Sequence, residues 1–429
     1  MNADSPASSE SREQLSQRLN QLQSEYQQIL SQGLSLDLTR GKPATAQLDL
    51  SDALDGILQG DYRSADGTDC RNYGGGLGIP EARQLAADYL GCKPPQTLVG
   101  GNSSLQLMYL TLEFALNTGF RGTGSAWRET GDVSFLCPSP GYDRHFAICE
   151  HLGINMIAVP MTDAGPDMDR VEQLVKDDPA IRGIWCVPRF SNPTGCVYSD
   201  STVARMAALP ALADRDFLVM WDNAYSVHAL TDDAPVLANI TEACREQDTL
   251  GSVMQFGSTS KITLAGAGIA FMGSSTESLA AFKTHLGYQT IGPDKVNQLR
   301  HLRLLPDLAA IEAHMGRHAA LIKPKFDCVL EALARELGGS GIGEWTRPQG
   351  GYFIAFDTLP GLARTVVSLA AELGVKLTPA GATFPYGDDP EDRNIRLAPT
   401  FPSLEDVKTS AEVFALCVKL ASVRQLLGD

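Results

Sequence analysis

Basic residues are scarce in this sequence. Its 35 lysines and arginines stand against 51 aspartates and glutamates, a net charge of −16. An anionic surface of that size repels phosphate backbones and acidic lipid, so neither nucleic acid nor membrane is an expected partner. Small anionic substrates are not excluded, because a few local arginines outweigh a distant field. Long apolar runs are also missing, and none approaches the roughly 20 residues that span a bilayer. The first ten residues, Met1 to Glu10, have neither a basic start nor an apolar core, unlike a secretory signal. No pair among the nine cysteines has C-x-x-C spacing, and an odd count does not suit a closed disulfide framework. Cys186 and Cys417 lie in apolar runs, where a thiol acts as a small hydrophobe. These absences lead us to expect a reduced, cytoplasmic compartment and no metal site.

What is present is an ordinary globular composition, 43% apolar and 20% charged, over 429 residues. That length exceeds one common domain and predicts two. Residues 1–12 are polar and serine-rich and read as a disordered tail. Leu15, Leu19, Leu22, Tyr26 and Ile29 recur at helical spacing, so residues 13–60 are expected to form an N-terminal helix and an arm of a smaller domain. From about residue 95 to 275, short apolar runs alternate with helical segments. Thr97-Leu-Val, Val133 to Leu136, Ile184 to Val187, Phe217 to Trp221 and Val253 to Phe256 each end in polar, glycine-containing sequence. This is the pattern of an α/β domain with a mostly parallel sheet, here placed at 61–305, in which ligands bind beyond the strand ends. Residues 306–429 change texture. A long helical stretch at 306–337 precedes a strand at Gly350 to Phe356, a helix at 360–374 and short strands near Val375 and Asn394, as in a small α+β domain.

Chemistry is concentrated at the strand ends. Gly100-Gly-Asn102-Ser103-Ser104 opens a helix and offers free backbone N–H groups, hydroxyls and the positive end of a helix dipole, as a phosphate site requires. An N-cap in a tight turn accounts for the same letters equally well. Asp222 follows an apolar run directly, either as a solvated strand-end acid or as an anion aimed at a cationic ring nitrogen. Tyr225 could bring a phenol to the same place, and Asn192 could be only the start of an Asn-Pro turn. Lys261, in Gly257-Ser258-Thr-Ser-Lys261, has the strongest claim. A sheltered lysine amine is normally paired or used chemically, and near apolar or cationic groups it loses its proton and attacks carbonyls. An aldehyde cofactor bearing a phosphate needs an amine, a phosphate cup, an anion for its ring nitrogen and donors for its phenolate. Successive strand ends supply all four.

In that arrangement the chain resembles the fold-type I pyridoxal-5′-phosphate (PLP) aminotransferases of the aspartate aminotransferase family. The likeness runs from about Leu38 to the C-terminus. It is carried by Tyr73 to Arg83, Ser191-Asn192-Pro-Thr-Gly195, Asp222-x-x-Tyr225, Ser258-Thr-Ser-Lys261 and Asn394-Ile-Arg396-Leu-Ala398. Arg40-Gly41-Lys42-Pro43 and Ser258 to Gly268 are most similar to the bacterial subgroup Ic. The resemblance implies a three-layer, mostly parallel large domain, a smaller α+β domain and a homodimer with shared active sites. It makes Lys261 the Schiff-base lysine, Asp222 the partner of the ring nitrogen, and Tyr225 and Asn192 donors to the ring oxygen. Tyr142 is expected to stack on the ring. Asn102, Ser103, Ser104 and Ser258 hold the phosphate, and Tyr73 reaches it from the neighbouring subunit. Arg396 grips the substrate α-carboxylate, beside Gly41 and Asn192.

One position departs from the pattern. Most relatives place a phosphate-binding arginine eight residues after the lysine, where this chain has Ile269. Lys42, Arg71 and Arg189 are the alternatives that the sequence offers. For a second substrate carboxylate the choices are Arg189 and Arg40. The resemblance implies amino transfer between aspartate and 2-oxoglutarate. Other amino-donor preferences (aromatic, alanine, 2-aminoadipate) and a PLP lyase of the same fold are the competing readings. A PLP-sensing DNA-binding regulator is disfavoured by the acidic charge and the short N-terminal segment.

Overall fold

A computed structural model describes residues 11–39, 41–120, 125–213 and 215–428. The strands in chain order begin with β1 (Leu36–Asp37), β2 (Thr97–Val99), β3 (Ser134–Ser139), β4 (Asn155–Thr162) and β5 (Gly165–Pro166). They continue with β6 (Ile181–Cys186), β7 (Leu218–Asp222), β8 (Val253–Ser258) and β9 (Ala270–Gly273). The last are β10 (Gly343–Trp345), β11 (Ile354–Thr358), β12 (Val375–Lys376) and β13 (Asn394–Leu397).

Eight strands form one sheet in the order β2-β9-β8-β7-β6-β3-β4-β5. The run from β8 to β4 is parallel, while β9 is antiparallel to both β2 and β8. Every residue of β3 and β7 is buried, as a sheet covered on both faces requires. Because successive strand residues point to opposite faces, β7 splits its side chains between two cores. Leu218 and Met220 pack with Phe146 and Ile148 of the helix Asp143–Leu152. Val219 and Trp221 pack instead with Val171 and Val203, from the helices Met168–Asp177 and Asp200–Ala213. The result is the expected three-layer α/β arrangement.

The chain adds β4 on one side of β3, then returns to lay β6 on the other. Strand order therefore reverses between β3 and β6, leaving a crevice beyond their carboxyl ends that β7 and β8 extend. Against that end lies a second core. It comprises the antiparallel sheet β10-β11-β13 and the helices Arg12–Leu30, Leu308–Leu337, Ala363–Glu372 and Leu404–Leu427. Helix Arg12–Leu30 starts at a reciprocal cap, with Ser11 N donating to Gln14 Oε1 and Gln14 N to Ser11 Oγ. Its Leu15, Leu22 and Tyr26 face this core, and β1 pairs in parallel with β12, joining the start of the chain to its last quarter.

The sequence reading differs from the structure in instructive places. The strand expected from Gly350 begins only at Ile354. Gly351 has φ +82° and abuts the Phe190 side chain, a conformation and a proximity that a strand residue with a Cβ does not adopt. Strands β4 and β9 and the closing helix Leu404–Leu427 carried no marked signal. Of the expected tail, residues 1–10 lie outside the described residues, whereas Ser11 caps the first helix and Arg12 opens it. No helix among the described residues is long and apolar enough to cross a membrane.

Candidate active site

Asp222, the last residue of β7, is 2% exposed. Its Oδ1 accepts from Ala224 N at 3.2 Å, and its Oδ2 lies 3.1 Å from His145 Nε2. His145 is itself fixed, stacked on Trp185 of β6 at 4.1 Å between ring centroids and 8° between planes. Tyr142, just after the end of β3, packs edge-on against His145 at 4.9 Å, and burial pushes its phenol up to about 12. The aspartate thus has a second, buried partner, which the sequence reading did not single out. Tyr142 and His145 are three apart, the spacing that puts two residues on one side of a helix, and this was the available signal.

Lys261 follows β8 in a tight turn. Its Nζ stands 4.9 Å from the ring centre of Tyr225, which is buried three residues beyond Asp222. Burial, reinforced by the Asp222 carboxylate, holds the Tyr225 phenol far above its ordinary range. Behind the lysine, distant segments grip the turn by its backbone. Tyr352 Oη donates to Lys261 O at 3.5 Å and accepts from Gln47 Nε2 at 3.0 Å. Gln47 Nε2 also reaches His318 Nδ1 at 3.1 Å. A carbonyl can only accept, so His314 Nε2, 2.8 Å from Ile262 O, carries the proton, and Nδ1 accepts from Arg317 at 2.6 Å. His228 is also buried here, with its ring 5.6 Å from that of Tyr352, and neither nitrogen has a hydrogen-bond partner among the described residues.

Beyond β2, Asn102 and Ser103 lead into the helix Ser104–Asn117. Ser103 occupies the N-cap position without capping through its side chain, so the first-turn N–H groups remain available. Ser260 Oγ donates to Asn102 O at 2.7 Å, and Asn102 Nδ2 to Gly266 O at 3.4 Å. These bonds draw the loop after β2 against the lysine turn. Ser258, three residues before Lys261, is the last residue of β8.

Arg396 of β13 comes to this crevice from the second core and is 7% exposed. Its Nη1 donates to Asn192 Oδ1 at 3.2 Å and to Asp143 Oδ1 at 2.8 Å, and its guanidinium lies over the Phe353 ring at 4.9 Å. Nε is buried without a partner among the described residues. Gly41 is pressed on that same ring: a Cβ there would sit 2.4 Å from Phe353 Cζ, so only glycine allows the backbone so close. Residues 10–429 match the family model described as aspartate amino-transferase. The chain belongs to that family. It is 45% identical over 398 residues to an aspartate aminotransferase of Corynebacterium glutamicum, covering 92% of each. A solved aspartate transaminase from that species superposes with a TM-score of 0.95 at 43% identity, over 99% of this chain and 100% of its own. An α-aminoadipate aminotransferase of Thermus thermophilus, solved with N-(5′-phosphopyridoxyl)-L-leucine, shares the fold at a TM-score of 0.74 and 23% identity, over 94% and 95% of the two chains.

Other residues of this aminotransferase that the sequence singled out have surroundings of their own. Arg189 donates through Nη1 to the Ser226 carbonyl and lies 5.0 Å over the Phe190 ring. Burial draws its guanidinium below the usual range. Arg40 falls outside the described residues. Tyr73 is 83% exposed, yet its flanking carbonyls, Asn72 O and Gly74 O, are both held by Lys295 Nζ at 2.8 and 2.7 Å. Ile269 is buried beside Phe271 and Val99. Of the cations offered in place of an arginine there, Lys42 lies 3.9 Å over the Phe401 ring and Arg71 is paired with Asp69 at 2.6 Å.

Proposed function

We propose that this aminotransferase uses PLP to move an amino group between aspartate and 2-oxoglutarate, giving oxaloacetate and glutamate. The carrying observation is the buried Asp222, braced by His145, with Lys261 and Tyr225 beside it on the same sheet end. The 45% identical C. glutamicum relative, named for that reaction, supports the substrate pair. The residues fit the cofactor. An uncapped helix N-terminus suits a phosphate, an anion in a dry pocket suits a ring nitrogen, and an amine stands close by. When bound, PLP supplies an aldehyde carbon and a ring that draws electrons from the substrate Cα.

In this reading the protein's own groups have separate tasks. Asp222 keeps a proton on the ring nitrogen, because an anion buried at 2% exposure favours a neighbouring positive charge. Asn192 already spends its Oδ1 on Arg396, so its Nδ2 is the end left to donate to the ring oxygen, together with Tyr225. Tyr142 stacks on the ring. Asn102, Ser103, Ser104 and Ser258 hold the phosphate with uncharged donors. Lys261 binds the cofactor and moves the proton at the substrate Cα. Arg396 takes the α-carboxylate, where a guanidinium can make two parallel bonds. Either Arg189 or Arg40 reads the side-chain carboxylate. Tyr73 serves the partner's phosphate site in a cytoplasmic homodimer, and the division into 13–60 with 306–429 and 61–305 describes the two domains.

Two measurements test this. The PLP-loaded protein is titrated separately with aspartate, glutamate, alanine and phenylalanine, and the visible spectrum is followed. Aspartate and glutamate should convert it fastest; a preference for phenylalanine or alanine would displace the substrate assignment. Lys261→Ala should lose turnover and the lysine-dependent visible absorbance together, and a variant retaining half its activity would sink the cofactor assignment.

A further inference from the structure

A carboxylate already occupies the arginine assigned above to the substrate. Asp143 opens the helix Asp143–Leu152 directly after Tyr142, and its Oδ1 accepts from Arg396 Nη1 at 2.8 Å. The two ends of the pair differ in setting, with side-chain exposure of 7% for Arg396 and 36% for Asp143. Arg396 is fixed from three sides, by the Phe353 ring, by Asn192 and by its place in β13. Asp143 has open solvent beside it.

Asp143 also binds poorly for a carboxylate on a guanidinium. It reaches one nitrogen, which it shares with Asn192, while Nε stays buried and unpartnered among the described residues. A guanidinium holds a carboxylate best through two parallel N–H···O bonds. A free carboxylate entering the crevice is not tethered to a helix start and can turn to make both. Two carboxylates on one guanidinium repel, so the weaker, single-pronged and more exposed one leaves.

We propose that Asp143 is an internal stand-in for the substrate α-carboxylate. It keeps Arg396 aimed into the crevice while no substrate is bound, and it must surrender that bond when substrate arrives. Asp143 is therefore a positioning residue that lowers substrate affinity. The proposal rests on Arg396 being the α-carboxylate receptor.

The test uses PLP-loaded enzyme and two unreactive probes, maleate and propionate, with affinities measured by calorimetric titration. Asp143→Asn and Asp143→Ala should each tighten both probes by about three- to tenfold, and lower KM for aspartate while kcat stays within about twofold. In an Arg396→Lys background the tightening should vanish, which a merely structural role for Asp143 would not produce. Unchanged or weaker probe binding in both Asp143 variants, with melting temperatures like the parent's, overturns the stand-in. If Arg396→Ala weakens the probes in that same experiment, the receptor reading survives the loss. If Arg396→Ala leaves probe affinity unchanged, the receptor reading itself fails.

Discussion

Gly41 shows how little room the substrate end of the crevice leaves. With Phe353 Cζ 2.4 Å from where a Cβ would stand, Gly41→Ala must move the ring that supports Arg396. Overpacking of this kind costs about 1–3 kcal/mol. We expect Gly41→Ala to lower the melting temperature and raise KM for aspartate, and unchanged values for both would remove Gly41 from the site. Arg396→Ala should raise KM for every amino acid by roughly a hundredfold, since truncating one member of a buried charged pair commonly costs 2–5 kcal/mol. A loss confined to dicarboxylates would instead make Arg396 a side-chain reader. At this scale the sequence was most legible where chemistry restricts the choice of residue. Lys261, Asp222, Tyr225 and Asn192 stood out because each follows an apolar run, and the structure gathers them around one crevice. His145 and Asp143 could not, because a histidine or an aspartate in the first turn of a helix is ordinary, and only the fold shows what each one meets.

The turn after β8 is an element built from outside itself. Tyr352, itself held by Gln47, reaches one carbonyl and His314 the next, with His318 and His228 packed behind. Burial pushes His228 down to about 3 and His318 down to about 4. Free imidazole in an unfolded chain titrates near 6.5, so below about that pH the unfolded state takes up protons that these folded rings refuse. Their contribution is complete above about pH 6.5 and is lost as pH falls toward 4, at up to about 1.4 kcal/mol per pH unit for each ring. Thermal melts at about pH 7.5 and 5 should therefore show a drop that His228→Phe reduces, because phenylalanine fills the aromatic pocket without binding a proton. An equal drop in the variant would remove His228 from the account. None of this clamp was visible in the sequence, since its members are up to 305 residues apart. The central strands were visible, because burial on both faces leaves an unbroken apolar run, as in Leu218 to Trp221. The edge of the sheet was harder to see: β9 is only four residues long, and its apolar letters merge with those of the lysine turn.

For the whole molecule, Tyr73 is an exposed side chain on a segment pinned by Lys295. If each site borrows its partner's Tyr73, two defective chains can repair one another. Tyr73→Ala and Lys261→Ala, each impaired alone, should regain activity when unfolded together and refolded as a mixture. The hybrid then holds one site with an intact Lys261 and an intact Tyr73. Light scattering should give twice the chain mass, and no recovery from a dimeric mixture would place Tyr73 outside the shared site. The change of texture near residue 300, read as a domain boundary, falls just before the helix Leu308–Leu337 of the second core. The joining of β1 to β12 was not, because a two-residue strand leaves no pattern to read.

The clamp on the lysine turn also has a consequence for how the protein is made. Synthesis runs from the N-terminus, so a nascent chain that has exposed Lys261 already displays the amine, Asp222 and the loop after β2. Tyr352, which links Gln47 to the lysine carbonyl, and Arg396 are still untranslated at that moment. A ribosome-bound chain thus carries these groups before the turn is locked and before Arg396 has joined them. The candidate site is complete only when the last quarter of the polypeptide folds back on the first.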